Sequence, residues 1–218
     1  MHKPKNKNHL LKIDRLLAFS DGVLAIAITL LILEIKIPKH DDIVHAGGLY
    51  NYLYNIWPSY LSYLVSFLVI GIYWSNHHWL FTFIHHTNHI FNLIHIFFLM
   101  AVCFLPFTSA ILGDYILDPD FKNAATTAYC VGFALPIIPL IILFFYAFHK
   151  HRLVGLNLNR KFMNRQIVKL FSGLFLTIIA LGVSFYHAFA ALAIIGLGIL
   201  IYLLPPDVPI YDEEKIND

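Results

Sequence analysis

Residues 15–34 read RLLAFSDGVLAIAITLLILE, and from Gly22 to Leu33 every side chain except that of Thr29 is apolar. A helix that crosses the hydrocarbon core of a bilayer needs about 20 mostly apolar residues. The apolar core of a cleavable signal peptide is shorter, at about 7–15 residues, and ends at a small-residue cleavage site. The stretch therefore predicts a retained membrane-spanning helix.

The rest of the chain has the same character. Hydrophobic residues make up 59% of the 218 positions and charged residues 13%, whereas a soluble domain has about 45–50% and about 25%. Apolar segments of spanning length recur at 16–37, 53–74, 89–112, 124–148, 167–185 and 187–204. We therefore predict an all-α membrane protein with six transmembrane helices and no internal repeat. Cys103 and Cys130 lie inside apolar segments and offer no disulfide framework or metal site.

Lysine and arginine predict the orientation, because they concentrate in cytoplasmic loops. With six spans, one side of the membrane holds Lys3, Lys5, Lys7, Lys12, Arg15, Lys150, Arg152, Arg160, Lys161, Arg165, Lys169 and Lys215. Only Lys36, Lys39 and Lys122 fall on the other side. Both termini are therefore expected in the cytoplasm, with a basic tail at 1–15, a transmembrane domain at 16–204 and an acidic tail at 205–218. The small net charge of +2 gives no indication of nucleic-acid binding.

Proline positions predict local breaks in the helices. Pro106, Pro136 and Pro139 lie inside the third and fourth spans, where membrane helices tolerate proline if neighbours satisfy the freed carbonyl groups. We expect kinks there. The fifth and sixth spans are so close in sequence that they must form a hairpin around Tyr186 and His187.

The first helix combines a buried charge with an aliphatic stripe. Asp21 lies about 7 Å into the apolar run at 1.5 Å per residue, and an ionisable residue at that depth is costly and often functional. At 100° per residue, Gly22, Ile26, Leu30 and Leu33 share one face, and Asp21 points away from it. Lipid contact or ordinary packing is the plainer interpretation of such a stripe. The polar residues behind it favour a functional role.

Partners for Asp21 are expected at the same depth, near the end of the second span and the start of the third. The residues there that can form an inter-helix polar network with Ser20 and Asp21 are Trp74, His77, Asn92 and His95. Asn92 and His95 are three residues apart and therefore share a helical face. Mutual hydrogen bonds would satisfy these groups inside the membrane.

The spacing Arg15-x-x-x-Phe19-Ser20-Asp21 resembles the motif that opens the first helix in the transmembrane protein 175 family, the lysosomal potassium channel of animals and its smaller prokaryotic relatives. Trp74-x-x-His77-His78, the region of Asn92 and Leu105-Pro106-Phe107 are also similar to the prokaryotic branch. The resemblance is dense over the first half of the chain and rests on helix count in the second.

The resemblance implies a homotetrameric, potassium-selective channel of the inner or plasma membrane, in which each chain gives its first helix to a central pore. It implies that Ile26 forms the narrowest ring, with Leu30 and Leu33 above it, and that Thr29 offers hydroxyl groups to a passing ion. Potassium is then the permeant ion, with no cofactor, no metal site and no enzymatic activity. A ring of aliphatic side chains in a pore can gate by dewetting.

Two other functions stay open at this point. A proton- or sodium-coupled secondary transporter would use Asp21 as its coupling site, although transporters usually contain internal repeats. A membrane metalloenzyme would use the histidines of residues 77–89, since imidazole binds iron and zinc. The chain has one such cluster without accompanying acidic residues, and titration of its histidines near pH 6.5 is another role they can have.

Overall fold

The structure, a computed structural model, describes residues 13–84, 86–149, 152–154 and 159–203. Its helices are α1 (Ile13–Leu30), α2 (His40–His45), α3 (Leu49–Asn55), α4 (Trp57–Phe81), α5 (His89–Cys103), α6 (Leu105–Tyr115), α7 (Lys122–Ala134), α8 (Ile137–Phe148), α9 (Arg160–Ser184) and α10 (Ala188–Tyr202). A 3₁₀ turn, Leu31–Glu34, continues α1. The described ranges contain no strand, apart from isolated bridges such as that between Ile84 and Val154, so the all-α prediction is confirmed.

Five helical stretches in the described part of the chain are long and apolar enough to cross a bilayer: Ile13–Glu34, Trp57–Phe81, His89–Tyr115, Lys122–Phe148 and Arg160–Ser184. They correspond to the first five predicted spans. The sixth is represented by α10, whose 15 residues extend over about 22 Å at 1.5 Å per residue. This is shorter than the hydrocarbon core, which is about 30 Å thick. Most of the predicted N-terminal tail and the whole C-terminal tail lie outside the described residues.

The predicted kinks and hairpin are confirmed. The third span is divided at Phe104, between α5 and α6, two residues before Pro106. The fourth is divided between α7 and α8, where Pro136 precedes the first residue of α8. Proline lacks an N–H group and its ring clashes with the preceding turn, which explains both breaks. Ser184 ends α9 and Ala188 begins α10, so these two helices form the expected hairpin.

Helices α4 and α6 approach each other closely because small residues line their interface. The Ser62 hydroxyl donates to the backbone oxygen of Ser109 at 2.7 Å, and the Ser66 hydroxyl donates to the Ser109 hydroxyl at 2.9 Å. The Tyr129 hydroxyl of α7 lies 3.2 Å from that of Ser66. Membrane helices associate through such small residues and interhelical hydrogen bonds, since lipid offers no hydrophobic drive between them.

Gly113 of α6 belongs to this close approach. A Cβ atom at Gly113 would lie 2.9 Å from Cα of Ser59 in α4, so the two backbones would have to separate. Overpacking of this kind costs about 1–3 kcal/mol. We therefore expect Gly113→Ala to lower the thermal midpoint of the detergent-purified protein. Gly182→Ala is the matched control, because nothing lies within 4 Å of its added Cβ; equal midpoints for the two variants would contradict the packing argument.

The end of the bundle beyond α1 is held by an ion pair and covered by short helices. The Lys36 ammonium group pairs with the Asp114 carboxylate at the end of α6. The hydrogen bond to Asp114 raises the pKa of Lys36 above its ordinary value. Helices α2 and α3 have no buried residue. Tyr50, Tyr54 and Trp57 are exposed there, as an aromatic belt at a membrane–water interface requires.

Candidate pore helix and its polar support

Helix α1 has two unlike faces. Leu24, Ala27 and Leu31 are 1–2% exposed, because this face packs against α4, α5 and α6. On another face, Ile26 is 60% exposed and Leu33 is 73% exposed. The first span thus presents an aliphatic stripe that no other described part of the single chain covers. Such a face needs lipid, another protein surface or a pore to accommodate it.

The 3₁₀ turn keeps the stripe straight. Ile26 and Leu30 are four residues apart and lie on neighbouring turns of an α-helix. Side chains three residues apart eclipse one another in a 3₁₀ helix, so Leu33 lies directly above Leu30. Gly22 lies one turn below Ile26, and nothing lies within 4 Å of a Cβ atom placed there. The stripe therefore has no side chain at Gly22 and large aliphatic side chains from Ile26 onward.

Thr29 lies beside the stripe and is exposed. Its hydroxyl donates to the backbone oxygen of Ile26 at 2.9 Å. That bond uses the hydroxyl proton, so the oxygen lone pairs remain free to face outward as acceptors. Thr29 can therefore offer an oxygen, but not a proton, to a cation next to Ile26.

Behind the stripe, Ser20 connects α1 to two buried histidines. The Ser20 hydroxyl oxygen lies 2.9 Å from Nε2 of His95 in α5. Nε2 of His95 lies 2.8 Å from Nε2 of His77 in α4. All three residues are 0% exposed. The polar contact therefore joins the first, second and third spans at one level.

A single proton on Nε2 of His95 can account for both of its hydrogen bonds, to Ser20 and to His77. The Ser20 hydroxyl donates to the backbone oxygen of Leu16 at 2.7 Å, so its oxygen is left to accept from His95. A neutral His95 protonated on Nε2 shares that proton between Ser20 and His77. His77 then carries its own proton on Nδ1, which has no hydrogen-bond partner in the described residues. The His77 ring stacks on Phe98, with 5.4 Å between ring centroids.

Asp21 is joined to a different partner. The indole N–H of Trp74 donates to Oδ1 of Asp21 at 2.9 Å, and the Trp74 ring stacks on His78 at 5.6 Å. Asp21 and Trp74 are both exposed in the single chain. The carboxylate is therefore oriented by α4 and still accessible from outside the chain.

Asn92 of the predicted network does not join it, and two residues of the motif, Arg15 and Phe19, lie at the surface of the single chain. Asn92 lies on α5 near His95, but its Oδ1 atom is buried without a hydrogen-bond partner in the described part of the chain. Arg15 is exposed, and Phe19 is 56% exposed. The structure thus brings together Ser20, His77 and His95 as one group and Asp21 and Trp74 as another.

The histidine-rich segment is not one loop. Helix α4 continues to Phe81, so His77 and His78 are helical, and His77 is buried. His85 lies outside the described residues. In residues 13–84, 86–149, 152–154 and 159–203, no three His, Cys, Asp or Glu side chains are close enough together to hold a metal ion.

The hydroxyl cluster of Ser62, Ser66, Ser109 and Tyr129 was not anticipated from the sequence. A signal was present, because Ser62 and Ser66 are four residues apart in an apolar segment and therefore share a helical face. The position of their partners on α6 and α7 depends on helix packing, which local spacing does not give.

Comparison with known proteins finds one family and one fold. Residues 15–106 match the family described as "Endosomal/lysosomal potassium channel TMEM175". The crystal structure of a lysosomal potassium-selective channel TMEM175 homolog from Chamaesiphon minutus superposes with a TM-score of 0.78 and 34% sequence identity. The superposition covers 88% of this chain and 96% of that one.

Curated relatives match over about half of the chain. A potassium channel of Chamaesiphon minutus is 45% identical over 124 residues, which are 57% of this chain and 61% of the relative. A potassium channel of Streptomyces collinus is 45% identical over 53% of this chain and 54% of the relative. The human endosomal/lysosomal proton channel TMEM175 is 35% identical over 49% of this chain and 21% of its own length. The matched part of this chain thus spans about half to three fifths of the two bacterial relatives.

Proposed function

The chain belongs to the TMEM175 family, and from that premise we propose that it is a potassium-selective channel of the cell membrane. The observation that carries the proposal is the exposed aliphatic stripe of α1, supported from behind by buried hydrogen bonds. Two bacterial relatives are named potassium channels, and the similar solved structure is titled a potassium-selective channel homolog. This chain conducts potassium passively through a pore that several copies of α1 surround.

The pore is formed by a homotetramer in this proposal. A single chain contributes one α1 stripe, and its sequence shows no internal repeat, so a closed ring of such stripes must come from several chains. Closed rotational symmetry is the usual arrangement of homo-oligomers, and the resemblance to the family gives the number four. Copies of Ile26 (60% exposed), Leu30 (44%) and Leu33 (73%) then face one another across the axis. Light scattering of the detergent-purified protein measures the number of chains.

The constriction selects without a carbonyl filter. The sequence contains no TVGYG segment, the carbonyl-lined filter of ordinary potassium channels. A ring of Ile26 side chains offers no oxygen to replace the hydration shell, so an ion must lose part of that shell to pass. Potassium binds its hydration water less tightly than sodium does, so its partial dehydration costs less free energy. The Thr29 hydroxyl oxygen lies next to Ile26 and can coordinate the ion, which offsets part of the dehydration free energy.

The polar groups hold α1 at the correct rotation in the proposal. Ser20 is tied to α5 and Asp21 to α4, at positions adjacent on one helix. Two ties in different directions resist rotation of α1 about its own axis. Since Ile26 is less than two turns away, the same ties determine whether its side chain faces the pore.

The transmembrane arrangement in the proposal has six crossings. Helix α10 belongs to the sixth crossing, and both termini are cytoplasmic. The basic tail at 1–15, the channel domain at 16–204 and the acidic tail at 205–218 follow from that arrangement. Proteolysis of inside-out membrane vesicles tests it, since both tails are expected to be cut only in that orientation.

Flux from liposomes tests the function directly. Purified protein is reconstituted in vesicles with an outward potassium gradient, and then with an equal sodium gradient. We expect potassium efflux that charges the membrane and greatly exceeds sodium efflux, with no proton gradient applied. Efflux that appears only when a proton gradient is imposed would instead support the secondary transporter.

The substitution Asp21→Asn separates the two functions further. The amide oxygen still accepts the Trp74 hydrogen bond, and replacing a charged acceptor by a neutral one costs about 1 kcal/mol. In a channel we expect potassium efflux within about fivefold of wild type, the factor that this energy allows. A transporter would lose coupled uptake altogether, because an amide cannot bind and release a proton at the coupling site. The assay is the same liposome flux with and without a pH gradient.

A further inference from the structure

The second half of the chain carries uncompensated positive charge. No aspartate or glutamate occurs between Asp120 and Asp207. That interval contains Lys122, Lys150, Arg152, Arg160, Lys161, Arg165 and Lys169, and all but Lys122 fall on the predicted cytoplasmic side, which we call the basic end of the bundle. Within the described ranges, the one ion pair of lysine or arginine is that of Lys36 at the opposite end. In the described part of the chain, the basic end therefore presents cations that are not paired with a carboxylate.

A groove lies at this end between α8 and α9. It has a volume of about 340 Å³ and is lined by Phe145, Phe148, His149, Arg160, Met163, Asn164 and Ile167. Its one charged residue, Arg160, and its apolar residue Ile167 are at different levels. Arg160 and Ile167 are seven residues apart on α9, which places them about 10 Å apart along the helix axis. The groove is thus cationic at its outer end and aliphatic and aromatic deeper in the bundle.

This arrangement matches a phospholipid, in which a charged phosphate group adjoins apolar acyl chains. Arginine binds phosphate through a planar fork of N–H donors, and Asn164 supplies a further amide one turn along α9 from Arg160, on the same helical face. Phe145 and Ile167 lie where an acyl chain would continue toward the bilayer interior. No acidic residue lines the groove, so nothing in its lining repels an anion. Free phosphate would fill only the outer part and would leave the apolar part without an occupant.

We propose that the groove between α8 and α9 is a binding site for an anionic glycerophospholipid, with Arg160 and Asn164 holding the phosphate group. The site lies on a different helix pair from the pore helix α1, so it does not depend on potassium conduction. Lys169, another cation of the same helix, is not in this lining; its Nζ atom lies 5.9 Å from the centre of the Tyr202 ring.

Native mass spectrometry of the full-length protein tests the site. The probes are phosphatidylglycerol and phosphatidylcholine with identical acyl chains, mixed in equal amounts. One basic residue near an anionic lipid contributes about 1 kcal/mol, so we expect phosphatidylglycerol to be retained about fivefold more. Arg160→Gln should bring this preference close to one, and Asn164→Leu should reduce it. The thermal midpoint should rise with phosphatidylglycerol in wild type and not in Arg160→Gln.

The matched control is Lys161→Gln, which removes one positive charge from the next residue, outside the groove. It should keep the wild-type preference. Equal losses in Arg160→Gln and Lys161→Gln would mean that surface charge alone attracts the lipid, and would overturn the site. Equal retention of the two lipids by wild type would overturn it as well. If inorganic phosphate raised the thermal midpoint as much as phosphatidylglycerol, the lipid assignment would be wrong. Asn164→Leu keeps the test available if Arg160→Gln does not fold.

Discussion

Replacement of Ile26 by asparagine is expected to collapse the preference for potassium over sodium. The amide group supplies donors and acceptors in the ring where the isoleucine side chain supplied none, so water can remain with an ion in transit. We expect the permeability ratio of potassium to sodium to fall by about tenfold, which corresponds to about 1.4 kcal/mol between the two barriers. Reversal potentials in planar bilayers measure this ratio. Total current should not decrease, because a wetter constriction also lowers the barrier to entry.

Ile32→Asn is the matched control for this substitution. Ile32 is also an exposed isoleucine of the first span, at 50% exposure, but it lies one residue before Leu33 in the 3₁₀ turn and points about 120° away from the stripe. Its replacement should leave the permeability ratio unchanged. If Ile26→Asn left sodium and potassium permeation as in wild type, the assignment of α1 as the pore helix would be wrong.

The second large effect is expected from His95→Ala. His95 contacts both Ser20 and His77 and is completely buried. The substitution leaves His77 without its hydrogen bond and opens a cavity among α1, α4 and α5. A buried polar group without a partner costs about 1–3 kcal/mol, and the cavity adds to this. We expect a clear fall in the thermal midpoint of the detergent-purified protein and a loss of potassium flux.

His78→Ala gives the comparison for His95→Ala. His78 is adjacent to His77 on α4 but is exposed and stacks on Trp74. Exposed substitutions usually change stability by less than about 0.5 kcal/mol, so a nearly wild-type midpoint is expected. A His95→Ala protein as stable as His78→Ala would show that the histidine pair does not hold α1 in place.

The spans were predictable because their length and apolar character are local properties of the sequence. The proline breaks in the third and fourth spans were predictable for the same reason, since proline acts on its own turn. The second span was placed too early, at residue 53, because the apolar and aromatic residues of α3 continue into it without a charge. The short helices α2 and α3 have no buried face, so hydrophobic periodicity gives no signal for them.

For the polar site, the sequence could predict the depth of its residues in the membrane but not which of them are in contact. Helical spacing places Ser20, His77 and His95 at one level, but the packing of α1 on α4 and α5 decides which atoms meet. Asn92 illustrates the limit, because it shares a helix face with His95 and its oxygen is nevertheless left without a partner. Trp74 rather than a histidine binds Asp21, a choice that depends on the rotation of α4.

The central claim, a passive potassium-selective pore, is tested most directly by the reversal potential of the wild-type protein. Purified protein is fused into a planar bilayer with potassium on one side and sodium at equal concentration on the other, without a pH gradient. A potassium-selective channel must give a steady current whose reversal potential lies far from zero, with the sign of potassium flow. A reversal potential of zero, or no current without a proton gradient, would contradict the account.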